Sequence, residues 1–254
     1  MRRRDDDKER RIKEAVIQLI LSEGWNGTSI SKIARLAEVS PATVYVYFDS
    51  KEDMKNFKKV LALVLAVATL LSFATIASAI TSADYKDVAD ITKNGQTEAV
   101  DVLSAIGVLD GIDGSFKPNQ DINRAEAAKI IAMFDNTSTS IDKLYTSANP
   151  FTDCKGSWAE SYIAYCYKTG IIGGVGNNLY APTAKVTGIQ YLKMVLIVLG
   201  YDAKTEGLVG PSWAVNTLAI AKRIGLLANL GDKFDVSANL LRGQAAQIMG
   251  RVLC

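Results

Sequence analysis

The run from Val60 to Ile80, VLALVLAVATLLSFATIASAI, contains no charged residue. About 20 such residues suffice to cross a bilayer as a helix. Lys55, Lys58 and Lys59 stand just before it, and it closes on Ala77-Ser78-Ala79. A basic lead, an apolar middle and small residues in an A-x-A pattern are the three marks of an export signal. No face of the run is polar, which argues against a core helix of a soluble domain. Residues 54–80 are therefore read as a signal peptide or a transmembrane signal-anchor, with the membrane as a partner if it stays uncleaved. If translation starts at Met1, Lys58 and Lys59 hold the front of the chain in the cytoplasm and the back is pushed outside. If it starts at Met54, an ordinary secreted precursor results. The sequence leaves both open.

Composition limits what the flanking parts can do. The chain has 254 residues, enough for two or three small domains, and no histidine. That removes the commonest general base and the commonest zinc ligand. A net charge of +2 does not mark the whole chain as a polyanion binder. The three cysteines, Cys154, Cys166 and Cys254, form no CxxC pair. Cys154 and Cys166 either join in a disulfide or stay reduced.

Before the apolar run the pattern is helical. Ile12, Ala15, Val16, Leu19 and Ile20 make one stripe on a helix of roughly Lys8 to Glu23, ended by Gly24. Thr28 can cap a second helix carrying Ile30, Ile33, Ala34 and Ala37. Ser40-Pro41 is a good third start, and Ser50, with Asp53 three residues on, opens a fourth. Together with Gly24-Trp25, Ala37-Glu38-Val39-Ser40, Thr43-Val44-Tyr45, Tyr47-Phe48 and Ser50-Lys51-Glu52, these residues resemble the TetR family of transcription regulators. The resemblance implies a three-helix head whose third helix enters the DNA major groove. By motif position Pro41, Ala42, Thr43, Tyr45, Val46 and Tyr47 would face DNA, with Thr28 and Lys51 near phosphates. The large ligand-binding and dimerising domain of that family does not follow. One head reads only a half-site, so weak DNA binding or none is expected.

After the apolar run the sequence repeats with a period of roughly 55 to 65 residues, suited to a helix–loop–helix unit. Block one holds Tyr85-Lys86-Asp87, Ala105-Ile106-Gly107-Val108, Asp113-Gly114-Ser115-Phe116-Lys117-Pro118 and Ile122-Asn123-Arg124-Ala125-Glu126. Block two holds Phe151-Thr152-Asp153, Trp158-Ala159, Thr169-Gly170-Ile171-Ile172, Leu179-Tyr180-Ala181-Pro182 and Val186-Thr187-Gly188-Ile189-Gln190. Block three holds Trp213-Ala214, Arg223-Ile224-Gly225-Leu226, Lys233-Phe234 and Leu240-Leu241-Arg242-Gly243-Gln244. Asn123 with Glu126, and Thr187 with Gln190, have capping-box spacing.

These blocks resemble S-layer homology (SLH) motifs, which hold surface proteins on bacterial cell walls. The resemblance implies repeats at 81–147, 148–208 and 209–254, a cell-surface location, and an anionic wall polysaccharide as partner. It makes Arg124 and Arg242 anion contacts at helix N-termini, through a guanidinium fork and free helix N–H groups. Gly188 stands where block two should have its Arg. Trp158 and Trp213 either stack on sugar rings or anchor the core. Asp87 and Asp153 either turn the chain or line the grooves.

Other signals carry less. Ser29-x-x-Lys32 lacks its partner motifs. The glycines from Gly170 to Gly176 lack dinucleotide-site spacing, so no cofactor is expected. Asp110 and Asp113 lack calcium-loop spacing, and a turn role is expected for them. The expected fold is mostly α: a three-helix head at 1–53, one hydrophobic helix, then three helix–loop–helix repeats. The expected function is binding, not catalysis, with DNA binding by the head as the alternative.

Overall fold

A computed structural model describes Lys8, Arg11, Ile12, Ala15, residues 30–47, 80–136, Ile141, 149–231 and 234–253. The chain divides into two compact units, Met1–Ala62 and Leu63–Cys254. Among the described residues there is no strand, only isolated β-bridges. The expected hydrophobic helix at 60–79 lies outside them, and no described helix is long and apolar enough to cross a membrane.

In the first unit Lys8, Arg11, Ile12 and Ala15 are helical, followed by α1 (Ile30–Leu36) and α2 (Pro41–Tyr47). Ile12, Ala15, Ile33, Ala34, Ala37 and Val44 form its core. Helix α2 starts where the sequence says it should: Ser40 Oγ accepts the Thr43 N–H at 3.1 Å, and Pro41 needs no N–H partner. Glu38 sits at φ +53°, a conformation usually left to glycine.

The second unit is three helix pairs closed into a ring. The first helices are α4 (Thr97–Ala105), α6 (Glu160–Lys168) and α8 (Trp213–Arg223). The closing helices are α5 (Arg124–Asp135), α7 (Gly188–Val198) and α9 (Arg242–Leu253). A short α3 (Val88–Lys93) precedes α4. Each closing helix packs on the first helix of the next pair, α5 on α6 and α7 on α8, and α9 returns to α4. The centre is three short extended segments. Ile122 N–H donates to Leu240 O (2.9 Å), Leu240 N–H to Val186 O (2.9 Å) and Val186 N–H to Ile122 O (3.3 Å). The side chains of Ile122, Val186 and Leu240 are buried at this hub.

The aromatic-x-Asp start of blocks one and two proves to be a loop clamp. Asp87 accepts the N–H groups of Phe116 and Lys117 at 2.8 and 2.6 Å. Asp153 accepts those of Tyr180 and Ala181 at 3.0 and 2.8 Å. The clamped Lys117 and Ala181 have φ of +60° and +58°, strain that the carboxylates help to hold. Burial alone would raise the Asp153 pKa, but the N–H donors outweigh it and the net shift is downward. Tyr85 and Phe151 press on Gly111 and Gly174, where a Cβ would lie 2.6 Å from each ring. Asp113 does sit in a turn, at φ +54°, but Asp110 does not serve one: it pairs with Lys129.

Cys154 and Cys166 are free buried thiols, which decides between the two readings left open by the sequence. Burial, with the Asp153 charge, pushes Cys154 up to about 12, and burial raises Cys166 as well. Neither is a reactive thiolate at neutral pH. No cluster of candidate metal ligands exists among the described residues.

Candidate functional site

The ring creates three quasi-equivalent grooves. Each takes one residue from the start of a closing helix, others from the turn and closing helix of the next pair, and a last from the start of the pair after that.

In the first groove the leading residue is Arg124. Its Nε donates to Tyr180 O at 2.8 Å and its terminal nitrogen to Gly173 O at 3.1 Å. The guanidinium lies 4.2 Å from the Tyr180 ring centroid, and the Tyr180 hydroxyl donates back to Arg124 O at 3.0 Å. Two of the five N–H donors of Arg124 are thus used to hold the next pair, leaving three. They border a pocket of about 320 Å³ lined also by Ile172, Gly173, Gln190, Lys193 and Trp213. Lys193 Nζ lies 5.5 Å from the Trp213 ring centroid, and burial lowers its pKa. A fixed guanidinium, a lysine and an indole face around one pocket can meet an anionic group and an apolar face together.

One part of the expectation needs correction. The N–H groups at the start of α5 are not free to bind an anion. Arg124 N–H goes to Ala184 O, Ala125 N–H to Pro182 O, and Glu126 N–H to the Asn123 side chain. Glu126 returns to the Asn123 N–H at 2.8 Å, so the capping box is complete. Ring closure has consumed these donors, which leaves the side chains as the groups that could meet an anion here.

The second groove has Gly188 in the leading place. A Cβ there would lie 2.9 Å from Phe234 Cζ and 3.1 Å from Val236 Cα, so the Arg is missing and its space is filled. Gln247 replaces the lysine and donates to Asn229 O at 3.0 Å. Gly95 stands in the tryptophan position.

The third groove is led by Arg242, only 7% exposed, with its guanidinium 5.2 Å from the Phe116 ring centroid and a short bond to Asp110 O. That bond matches the one from Arg124 to Gly173 O. Lys129, the counterpart of Lys193, is paired with the Asp110 carboxylate at 2.5 Å. Glu126 replaces Gln190, and its charge acts on Arg242. Trp158 is the counterpart of Trp213 and is 61% exposed, so it is not a core anchor. Trp213 is half-buried beside Lys193.

Of the DNA-facing residues named from sequence, Pro41 and Ala42 are exposed and Thr43 is half-buried on α2. Tyr45, Val46 and Tyr47 lie on the same helix. Thr28 and Lys51 lie outside the described residues.

Comparison with known families bears on two of the three helix pairs and on the first unit. The family model of the S-layer homology domain matches residues 84–128 and 150–192. The chain carries S-layer homology repeats. The third helix pair, α8 with α9, completes the ring on the same plan. Residues 12–55 match the family model of bacterial regulatory proteins, tetR family. Relatives include the S-layer protein sap of Bacillus anthracis, 27% identical over 164 residues, which are 61% of this chain and 19% of that protein. A cell surface protein of Thermoanaerobacter kivui is 28% identical over 202 residues, 79% of this chain and 25% of that one. An uncharacterized cell wall amidase of Bacillus anthracis is 27% identical over 205 residues, 77% and 37% of the two chains. The chain thus spans well under half the length of each.

Proposed function

We propose that this protein is a non-enzymatic anchor whose three SLH repeats, at 81–147, 148–208 and 209–254, hold it non-covalently to an anionic wall polysaccharide at the cell surface. The observation that carries the reading is the first groove, where Arg124, Lys193 and Trp213 meet in one pocket. Relatives named as S-layer and cell surface proteins support the location. In this reading Arg124 and Lys193 take the carboxylate and Trp213 takes the sugar face. Arg242 and Trp158 belong to a weaker groove. Residues 54–80 deliver the repeats to the outside, as a cleaved signal or an anchor. The full chain should pellet with polysaccharide-bearing sacculi, and Arg124→Ala should weaken that at least about tenfold. Equal pelleting by the wild type and the variant, or none by the wild type, would count against the reading.

The match at residues 12–55 favours a second reading, in which the head binds DNA through α2. A duplex shift that weakens steeply with salt is its expected mark. Salt-independent retention, or none, would dismiss it.

A further inference from the structure

We propose that Asp110 is a built-in occupant of the third groove, supplying from the chain itself the carboxylate that a ligand would otherwise bring. This rests on the reading of the first groove given above. The two Arg-led grooves present the same frame: an Arg stacked on the aromatic ring of the next loop and bonded to the same backbone carbonyl, a lysine one turn into the next closing helix, and a tryptophan at the start of the following pair. They differ at two positions. Where the first groove has Gly173 and Gln190, the third has Asp110 and Glu126.

Those two differences cancel the positive charge. The first groove holds two cations, Arg124 and Lys193, and no carboxylate at the matching positions, a formal +2. The third holds two cations, Arg242 and Lys129, and two carboxylates, Asp110 and Glu126, a formal zero. The Asp110 carboxylate contacts Lys129 Nζ directly, at 2.5 Å, whereas Lys193 rests over the Trp213 face. A ligand carboxylate entering the third groove would have to displace Asp110 and then face its charge. Like charge at such a distance opposes binding strongly. The third groove is therefore a latent site, closed by residue 110, whereas the first is open.

The grooves can be exchanged residue for residue. Gly173 has a φ any residue adopts and open space around a Cβ, so Gly173→Asp is tolerated. Glu126→Gln keeps the capping box, because Gln190 already closes the same box on the Thr187 N–H at 3.0 Å. Four full-length proteins are assayed for pelleting with polysaccharide-bearing sacculi, with acid-stripped sacculi as control: wild type, Gly173→Asp, Asp110→Gly/Glu126→Gln, and the triple variant. Circular dichroism checks that each is folded. Gly173→Asp should lose at least about tenfold in apparent affinity, and the triple variant should regain most of it through the opened groove. A folded triple variant that binds no better than Gly173→Asp overturns the inference and leaves the first-groove reading standing. Unchanged binding by Gly173→Asp overturns the control exerted from this position. No binding by the wild type overturns the anchor reading and this inference together.

Discussion

The ring should make the three repeats fold as one unit, and Ile122→Ala tests that most directly. Ile122 is fully buried at the hub, with its N–H and C=O each bonded to a different repeat. The substitution removes three carbons, about 2.4 kcal/mol at about 0.8 kcal/mol per buried carbon. The other hub residues, Val186 and Leu240, are pinned by backbone bonds and cannot collapse fully into the gap, so a cavity contribution brings the loss to about 3–4 kcal/mol. For a unit of this size that lowers Tm by about 6–16 °C. Urea unfolding is followed by far-ultraviolet circular dichroism and by tryptophan fluorescence in a Trp25→Phe background. Trp158 and Trp213 then report from the second and third helix pairs, while the mutation lies in the first. In a linear repeat array the damaged end would melt separately. Closure predicts that both probes shift together to a lower midpoint. A loss below about 1 kcal/mol, or a helical transition preceding the fluorescence transition that the Trp25→Phe parent lacks, would refute the closed hub as the source of cooperativity.

Asp153 should set part of the acid limit. Its folded pKa is depressed, so its stabilising effect is full above the ordinary carboxylate value of about 4 and is lost as pH falls through the lower folded value. Asp153→Asn should cost about 1 kcal/mol at pH 7 and flatten the stability profile below about pH 4, measured by urea titration at each pH; an unchanged slope would remove Asp153 from the account. Cys154 and Cys166 should resist iodoacetamide in the folded protein at pH 8 and react on unfolding, read by peptide mass spectrometry; prompt labelling of either in the native state would contradict its burial.

Local chemistry was legible in the sequence, and long-range chemistry was not. Ser40-Pro41 announced α2, and Asn123 with Glu126 announced α5, because a cap is decided within four residues. The apolar stripe placed Ile12 and Ala15 in the first core correctly. The missing Arg at Gly188 could be read from the repeat alone, but not that Phe234 and Val236 fill its place. Arg124 and Arg242 look alike in sequence. Their difference arises at Gly173 and Asp110, which lie 49 and 132 residues away along the chain from the arginines that bond them. Trp158 and Trp213 likewise share a motif, yet Lys129 is paired with Asp110 while Lys193 lies over the Trp213 ring. Aligning the repeats position by position at 110, 173 and 228 would have exposed the charge difference. Its meaning depends on knowing which closing helix faces which turn.

That dependence links folding and binding in a specific way. The open groove draws Arg124 from the first helix pair, Gly173 and Lys193 from the second, and Trp213 from the third. No single repeat, and no two, contain the set. The carbonyls that hold Arg124 in its pose, Tyr180 O and Gly173 O, belong to the second pair, so even the cation is aimed by a neighbour. The helix N–H groups that might have bound an anion within one repeat are instead the bonds that close the ring. The closed structure thus spends the backbone donors of each repeat on its neighbours and gathers Arg124, Lys193 and Trp213 from three helix pairs around one pocket. A wall contact made there requires the hub to be intact, and a ligand bound there should in turn stabilise the ring by mass action.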